Sequence, residues 1–269
     1  MSRHLLIAGY GFLGRALKSA FNANGWQVSF ANRGGSAGAV ACDLSSAEST
    51  AAISGEYDVV VHCAASGGGG IESYRDVYLK GCRNLLARFP ESRIIFTSST
   101  SVYPQVDHST VTEMSLAEPV SSRAAILRES EDTILTSGGV VARLTGLYGP
   151  GRCHIQKNFL AGTAMLDGKG ERIMNFVHRD DVAQALILLA DKGNGGEIYN
   201  VNGGYASQRD VYRSLGDYYD LPLPLAAADA VPRKRGNTSK EVNSDKLKQL
   251  GWRPRYTDFL SLAFACDTV

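Results

Sequence analysis

A glycine-spaced turn near the start of the chain is the first feature that indicates a chemistry. Gly9-Tyr10-Gly11-Phe12-Leu13-Gly14 has the spacing G-x-G-x-x-G and lies between an apolar strand and a helix. The first glycine would allow a tight turn, the second would let the backbone approach a pyrophosphate, and the third would let helix and strand pack closely. The free N–H groups and dipole of the helix N-terminus would then face the phosphates. The pattern predicts a dinucleotide-binding loop, with a glycine-rich turn of another α/β fold as the alternative.

The residues after the second predicted strand indicate which dinucleotide the loop would hold. A site that prefers NAD(H) places Asp or Glu there to bind the ribose hydroxyls, whereas this chain has Asn32-Arg33. An arginine can bind a 2′-phosphate through paired, charge-assisted hydrogen bonds. We therefore expect NADP(H), with NAD(H) as the alternative if Arg33 is a solvated loop residue. Asp43-Leu44, after the third strand, is expected beside the adenine, although Asp43 could instead cap a helix.

The composition argues against several other classes of protein. The 269 residues include 28 Lys and Arg against 27 Asp and Glu, which gives a net charge of +1. Nothing in that balance suggests a nucleic acid or a membrane as the partner, and the one basic run, Arg233-Lys234-Arg235, is short enough to be a solvated loop. No apolar run approaches the roughly 20 residues that cross a bilayer. The N-terminus lacks the pattern of a signal peptide.

The cysteines indicate the redox environment. They are odd in number and widely separated, with no Cys-x-x-Cys pair: Cys42, Cys63, Cys82, Cys153 and Cys266. Such usage is typical of reduced thiols and not of a disulfide framework or a zinc site. We therefore expect a cytoplasmic protein that holds no metal.

The elements that would position the glycine loop alternate between strand and helix. Apolar strands are predicted at residues 4–8, 26–31, 39–42, 58–63, 93–97 and 139–144, with helices at 12–24, 71–89 and 122–136. This order predicts an α/β fold with a doubly wound parallel sheet of the Rossmann type. Residues 1–150 would be the dinucleotide-binding domain. Residues 151–269 would form a small C-terminal α/β substrate lobe, with elements that return to the Rossmann core.

The second part of the chain has its own predicted elements. Helices are expected at residues 157–166, 179–191 and 208–219, and strands at 172–177 and 197–201. A ligand of such a fold lies outside the carboxyl ends of the strands. The site is therefore predicted in the cleft between the two parts of the chain.

Several motifs, in order along nearly the whole chain, resemble those of the extended short-chain dehydrogenase/reductases, the superfamily of NAD-dependent epimerases and dehydratases. The matching stretches are Gly9–Gly14, Asp43-Leu44, His62-Cys63-Ala64-Ala65, Phe96–Tyr103, Arg143–Gly151, Phe176–Val182, Ile198–Val201 and Leu250–Pro254. The compact length is most similar to a short, atypical branch, the YeeZ-like proteins. The resemblance implies cofactor contacts at Ala64, Ala65 and Ser98.

The residues that carry the chemistry of this superfamily are only partly present. Its members use a Ser or Thr hydroxyl, a Tyr as general acid/base and a Lys four residues after that Tyr. Ser99 matches the hydroxyl position, but Arg123 stands where the Tyr should be and Leu127 where the Lys should be. None of the twelve tyrosines is followed by Lys at that spacing. Leucine can neither bind a ribose hydroxyl nor stabilise a phenolate.

Other residues are candidates for the missing roles. Tyr103 could be a substitute acid, or it could shape the wall of the cleft. Arg123 could act as an electrophile toward a carbonyl or carboxylate, or it could be a surface residue of its helix. Tyr148 and Arg172 are candidates for substrate contacts, and Arg152 could line the cleft. Arg172 would stand in for a phosphate-binding arginine that the superfamily places two residues later on the same face of a strand.

Two functions remain open from the sequence. The first is an NAD(P)-dependent oxidoreductase or epimerase that acts on a small polar carbonyl or sugar-like substrate through an atypical proton relay. The second is a catalytically silent NADP-binding sensor or scaffold. Ser99 and the aligned cleft favour the enzyme, because hydride chemistry belongs to the cofactor and can use other acids. The absent Tyr-Lys pair favours the sensor. Helix 122–136 is a candidate homodimer contact.

Overall fold

Seven parallel strands form the central sheet and lie side by side in the order Ile198–Val201, Val140–Leu144, Arg93–Ser99, Val59–His62, His4–Ala8, Gln27–Asn32 and Val40–Ala41. The computed structural model describes residues 2–227 and 238–258. The predicted basic run at 233–235 and Cys266 lie outside the described residues. The strands of this sheet are β1 His4–Ala8, β2 Gln27–Asn32, β3 Val40–Ala41, β4 Val59–His62, β5 Arg93–Ser99, β7 Val140–Leu144 and β10 Ile198–Val201.

Helices cover both faces of this sheet. The helices Phe12–Ala23 and Arg179–Lys192 pack together on one face. On the other face, Gly81–Arg88, Ser122–Thr136 and a π-helical segment, Arg75–Lys80, pack together. The helices are α1 Phe12–Ala23, α2 Ala47–Ala51, α3 Ile71–Tyr74, α4 Gly81–Arg88, α5 Ser122–Thr136, α6 His154–Leu160, α7 Arg179–Lys192, α8 Gln208–Tyr219 and α9 Asp245–Gln249. The strands β4 and β7 are buried along their whole length, as expected for a parallel sheet covered on both sides. The predicted doubly wound α/β fold is confirmed.

A smaller layer of structure forms one wall of the cleft. The strands β8 Gly146–Tyr148, β9 Ile173–His178 and β11 Gly204–Ser207 make a three-stranded sheet, while β6 Thr110–Val111 pairs with β12 Glu241–Val242. The helices α6 and α8 pack over this layer around Phe159 and Tyr212, whose rings stack 5.8 Å apart. After β9 the chain returns to the central sheet, where β10 pairs with β7. The domain boundary at residue 150 stays a prediction.

One predicted helix lies at a different place. Instead of residues 157–166, the helix covers His154–Leu160. Gly162, with φ +66°, ends it in a left-handed conformation that glycine adopts without strain. The following backbone N–H groups of Thr163 and Ala164 both turn back to the carbonyl of Asn158.

Candidate functional site

The three glycines of the first loop have different physical roles. A Cβ atom on Gly9, where φ is +121°, would lie 2.3 Å from the backbone nitrogen of Ala64. A Cβ on Gly14 would lie 2.3 Å from the carbonyl oxygen of Gly9. A Cβ on Gly11 would meet nothing within 4 Å. Packing therefore requires the first and third glycines, whereas the second keeps open a space that the described chain does not fill.

The N-terminus of α1 presents unpaired backbone donors to this space. Gly11 is the N-cap, and its helix end has no side-chain cap. Within the described residues, the backbone N–H groups of Phe12 and Leu13 have no hydrogen-bond acceptor. Free N–H groups and the positive end of the helix dipole together favour an oxyanion such as a phosphate. The loop has the geometry of a phosphate-binding turn.

A cleft of about 400 Å³ extends from this loop along the carboxyl ends of the strands. Ten of the twelve residues predicted to bind cofactor line it, namely Gly9, Gly11, Phe12, Leu13, Asn32, Arg33, Asp43, Leu44, Ala64 and Ala65. Gly14 lies beneath the loop, and the side chain of Ser98 is turned into the protein. The cleft brings the lining residues together, while their contacts with a ligand stay predictions.

The far end of the cleft holds the residues predicted to select the dinucleotide. Arg33 is exposed and has no ion-pair partner in the part of the chain that the structure describes. Asp43 accepts hydrogen bonds from the Ser45 hydroxyl at 2.8 Å and the Ser45 backbone at 3.0 Å. These bonds hold the pKa of the Asp43 carboxyl below its usual range, and the charge of Arg33 lowers it further. Ser46, and not Asp43, is the N-cap of α2.

Cys63, which lines the cleft, and the buried His62 beside it are both held in their neutral forms. Burial raises the pKa of the Cys63 thiol to about 12, and this thiol donates to the Gly9 carbonyl at 3.3 Å. His62 is fully buried, and its Nε2 lies 2.9 Å from the carbonyl oxygen of Val77 in the π-helical segment. Burial lowers the pKa of His62 from 6.5 to about 4. Neither residue supplies a charge near neutral pH.

The buried His62 predicts a dependence of stability on pH. The unfolded chain takes up this proton below about pH 6.5, while the folded chain resists until about pH 4, so folding loses free energy as the pH falls between these values. His62→Gln should remove about 2 kcal/mol of the stability difference between pH 7 and pH 5. Urea unfolding of both proteins at the two pH values measures this. Parallel profiles would contradict the assigned pKa.

The last two residues of β5 are Ser98 and Ser99, and their side chains have different surroundings. The buried Ser98 hydroxyl donates to Glu131 at 2.6 Å. Glu131 also accepts two bonds from Arg143, at 3.0 and 2.7 Å, and one from Arg128 at 3.1 Å. Ser98 is therefore part of a buried polar network and does not line the cleft. Ser99 is partly exposed, and its hydroxyl accepts a bond from the backbone of Ser101, but it is not among the residues that line the cleft either.

Tyr103 lies in the protein interior. Its side chain is fully buried, and its hydroxyl donates to Asn200 at 2.9 Å. Arg143 covers the ring at 4.8 Å from the centroid, and Lys240 donates to the Tyr103 carbonyl. Burial raises the pKa of this phenol above its usual range. In this position the hydroxyl contacts protein atoms and does not face the cleft, because residues far along the chain enclose it.

The helix α5 carries the departures from the superfamily pattern. Leu127 is buried. Arg123, in the first turn of the helix, is partly buried beside the glycine-rich stretch 67–70, with its guanidinium 5.4 Å from the centroid of the Tyr74 ring. Its Nη2 lies 3.5 Å from the carbonyl of Gly69. Arg123 faces the α3 side of the site but does not line the cleft.

The predicted substrate contacts lie in the smaller layer. Tyr148 is buried, and its ring packs edge-on against His178 and Phe176. Arg172 forms an ion pair with Asp167 at 2.9 Å. Neither side chain lines the cleft. The structure therefore separates Tyr148 and Arg172 from the glycine loop that they were expected to complement.

Other cleft-lining residues were outside the set predicted as cofactor-binding. They are Tyr10, Ala31, Cys42, Ser45, Cys63, Val77, Tyr78, Thr97, Leu144, Leu147 and Arg152. Thr97 and Leu144 lie near the carboxyl ends of their strands, where ligands of this fold bind, so strand position could have indicated them. Val77 and Tyr78 belong to the π-helical segment. No sequence pattern indicates that segment.

Two features of the described residues bear on other functions. Within residues 2–227 and 238–258, no helix has the length and apolar character that crossing a bilayer requires. The same ranges contain no group of three or more His, Cys, Asp or Glu side chains arranged to hold a metal ion.

Comparisons with known proteins identify relatives in sequence and in structure. A model of the NAD dependent epimerase/dehydratase family matches residues 5–202. Protein YeeZ of Escherichia coli strain K12 is 34% identical over 230 residues, which cover 78% of this chain and 81% of YeeZ. UDP-glucose 4-epimerase of Corynebacterium glutamicum is 28% identical over 114 residues, 40% of this chain and 34% of that protein.

Solved structures share the fold over almost the full length. UDP-glucose 4-epimerase of Thermotoga maritima, solved with UDP-glucose, has a TM-score of 0.80 at 20% identity, with 97% of each chain covered. The dTDP-glucose 4,6-dehydratase of Bacillus anthracis, solved in complex with NAD, has a TM-score of 0.78 at 18% identity, with 98% of this chain and 95% of that chain covered. At these identities the likeness shows a common fold alone.

Proposed function

The chain belongs to the NAD-dependent epimerase/dehydratase family, and from that membership we propose that it is an NADP(H)-dependent oxidoreductase or epimerase of a small polar carbonyl or sugar-like substrate. The main support for this proposal is the open space beside Gly11, which the free N–H groups of Phe12 and Leu13 face. It fits a diphosphate, because no described side chain fills it and the donors there have no other acceptor. A bound nicotinamide dinucleotide would supply hydride transfer.

The preference for NADP(H) is supported by Arg33. Its guanidinium has no ion-pair partner within the described ranges and lines the end of the cleft beside Asn32. A 2′-phosphate would give this guanidinium a doubly charged partner. NAD(H), which lacks that phosphate, would gain nothing from it.

Arg33→Ala is expected to weaken NADP⁺ binding by roughly ten- to hundredfold, the usual range for a charge-assisted hydrogen bond, and to leave NAD⁺ binding almost unchanged. Calorimetric titration of both dinucleotides measures this. Arg213→Ala, which removes an exposed arginine of α8 paired with Asp210, is the matched control. Equal loss of NADP⁺ and NAD⁺ would mean that Arg33 does not contact the 2′-phosphate.

For the substrate end we propose the hydroxyl of Ser99 and the charge of Arg123, although neither residue is among those that line the cleft. Ser99 would orient the substrate oxygen, and Arg123 would polarise a carbonyl. Tyr103 is given no proton to move, because its hydroxyl is enclosed and bonded to Asn200. A screen of carbonyl compounds for oxidation of NADPH tests the enzyme. Turnover that Ser99→Ala reduces would support it.

A second candidate function follows from helix α5. Leu127 is buried where a ribose-binding Lys would be, and Arg123 replaces the acid. These two residues favour a catalytically silent NADP-binding sensor or scaffold. Such a protein would bind NADP(H) without turnover, and the redox state of the dinucleotide would change its affinity for a protein partner. Binding by NADP(H) with no activity on any carbonyl compound would favour this candidate.

The cellular setting belongs to the same proposal. Among the described cysteines, Cys42, Cys63 and Cys82 are free thiols, as expected in the reducing cytoplasm. A homodimer through α5 stays a prediction. The exposed side of that helix carries Glu129, which pairs with Arg75 and Arg83 of the same chain.

A further inference from the structure

A glycine turn holds a cationic side chain at the rim of the cleft. Gly149 and Arg152 exchange two backbone hydrogen bonds, at 3.2 and 2.9 Å. Gly149 has φ +153°, and a Cβ there would lie 3.1 Å from Nε2 of His178 and 3.2 Å from Arg179. Gly151 has φ +72°. Because both glycines are needed for this conformation, the turn fixes the place from which Arg152 extends.

Arg152 extends toward the glycine loop. It lines the cleft, and its guanidinium lies 5.0 Å from the centroid of the Phe12 ring. Arg179 approaches the same ring at 5.1 Å. Two guanidinium groups therefore meet at the aromatic side chain of the first residue of α1. They add positive charge to the helix end that already carries the free N–H groups.

Neither cation is neutralised by a strong ion pair. Arg152 has no carboxylate partner in the described part of the chain, and Arg179 has only an Asp180 oxygen 3.5 Å from its Nε. Within the described residues, Asp43 is the only carboxylate that lines the cleft, and it lies at the other end beside Arg33. Because no described carboxylate balances the positive charge near Phe12, this charge favours the binding of an anion from outside the chain.

We propose that Arg152, supported by Arg179, is an oxyanion site at the rim of the cleft, beside Phe12 of the glycine loop. It takes a phosphate or carboxylate group through paired hydrogen bonds, the geometry for which a guanidinium is suited. The group has two possible sources, which are the diphosphate of the dinucleotide and an anionic group of the substrate. Because this inference rests on the proposed function for its location, its experiment must separate the two.

The experiment compares the intact chain with Arg152→Ala, Arg152→Lys and the surface control Arg213→Ala by calorimetry. In one arm NADP⁺ and NAD⁺ are titrated into each protein. In the other arm inorganic phosphate is titrated into protein saturated with NADP⁺. Arg152→Ala is expected to weaken binding by roughly tenfold or more in one of the arms, and Arg152→Lys is expected to retain part of it.

The arms identify the source of the oxyanion. Equal weakening of NADP⁺ and NAD⁺ assigns the diphosphate, since both dinucleotides carry it. Weakening of phosphate alone assigns an anionic substrate. Unchanged affinity in both arms overturns the proposal, as does equal weakening in the Arg213→Ala control. If the intact chain binds no dinucleotide, the proposed function fails, and phosphate titrated into the free chain still tests Arg152 by the same comparison.

Discussion

Gly11→Leu is expected to abolish dinucleotide binding while the protein stays folded. The new side chain would occupy the space where a Cβ meets nothing within 4 Å. It would keep a diphosphate from the N–H groups of Phe12 and Leu13. Two charge-assisted hydrogen bonds are worth about 3 kcal/mol or more together, so affinity should fall more than about a hundredfold. Titration of NADP⁺ and NAD⁺ with a thermal melt of each protein measures both effects.

The control for this change is another exposed helix cap. Gly70 is the N-cap of α3, has no side-chain cap, and would also carry a Cβ without contacts. It does not line the cleft, so Gly70→Leu should bind both dinucleotides like the unmodified chain. If Gly11→Leu bound dinucleotide normally, the loop would not be the phosphate site. The proposed function would then lose its main structural support.

Glu131→Gln is expected to destabilise the fold by about 3 to 5 kcal/mol, because it leaves the buried Arg143 without an opposite charge. Glu131 is 0% exposed and Arg143 1% exposed, and both oxygens of the carboxylate take part in the network with Ser98 and Arg128. Breaking such a pair costs more than the pair contributes, since a desolvated charge remains. Urea unfolding gives the free energy of each variant.

The same helix offers a matched control. Glu129 pairs with Arg75 and Arg83, but its side chain is 46% exposed. Solvent screens such pairs, so Glu129→Gln should cost no more than about 1 kcal/mol. Replacing both buried partners, with Glu131→Leu and Arg143→Met, should recover much of the loss. Equal effects of Glu131→Gln and Glu129→Gln would show that the buried network does not hold a charge pair.

Local patterns were sufficient to predict the sheet and the glycine loop. The spacing of Gly9, Gly11 and Gly14 reflects contacts within one strand–helix unit, and the apolar strands reflect burial on both faces. The replacement of Tyr and Lys by Arg123 and Leu127 was equally visible, because helical spacing alone defines those positions. The structure places both residues on α5 as that spacing requires.

Contacts between distant segments could not be predicted. Tyr103 follows a strand that ends at the cleft, yet Asn200 and Lys240 enclose it from far along the chain. Ser98 and Ser99 are neighbours in sequence with opposite surroundings. In each case the side chain's role depends on which element covers it, and that depends on tertiary packing.

The shape of one part of the cleft wall depends on the number of residues in the π-helical segment Arg75–Lys80. A π-helix closes its hydrogen bonds over one residue more than an α-helix. Loss of a single residue there would convert the segment to a regular α-helix that runs on into α4. The residues on either side would keep nearly their present orientation, because a π-turn is an α-helical turn with one residue inserted. The Val77 carbonyl, which now lies 2.9 Å from Nε2 of His62, would instead accept a bond of the regular α-helical ladder. Relatives could therefore vary in side chains along this wall more readily than they could shorten it.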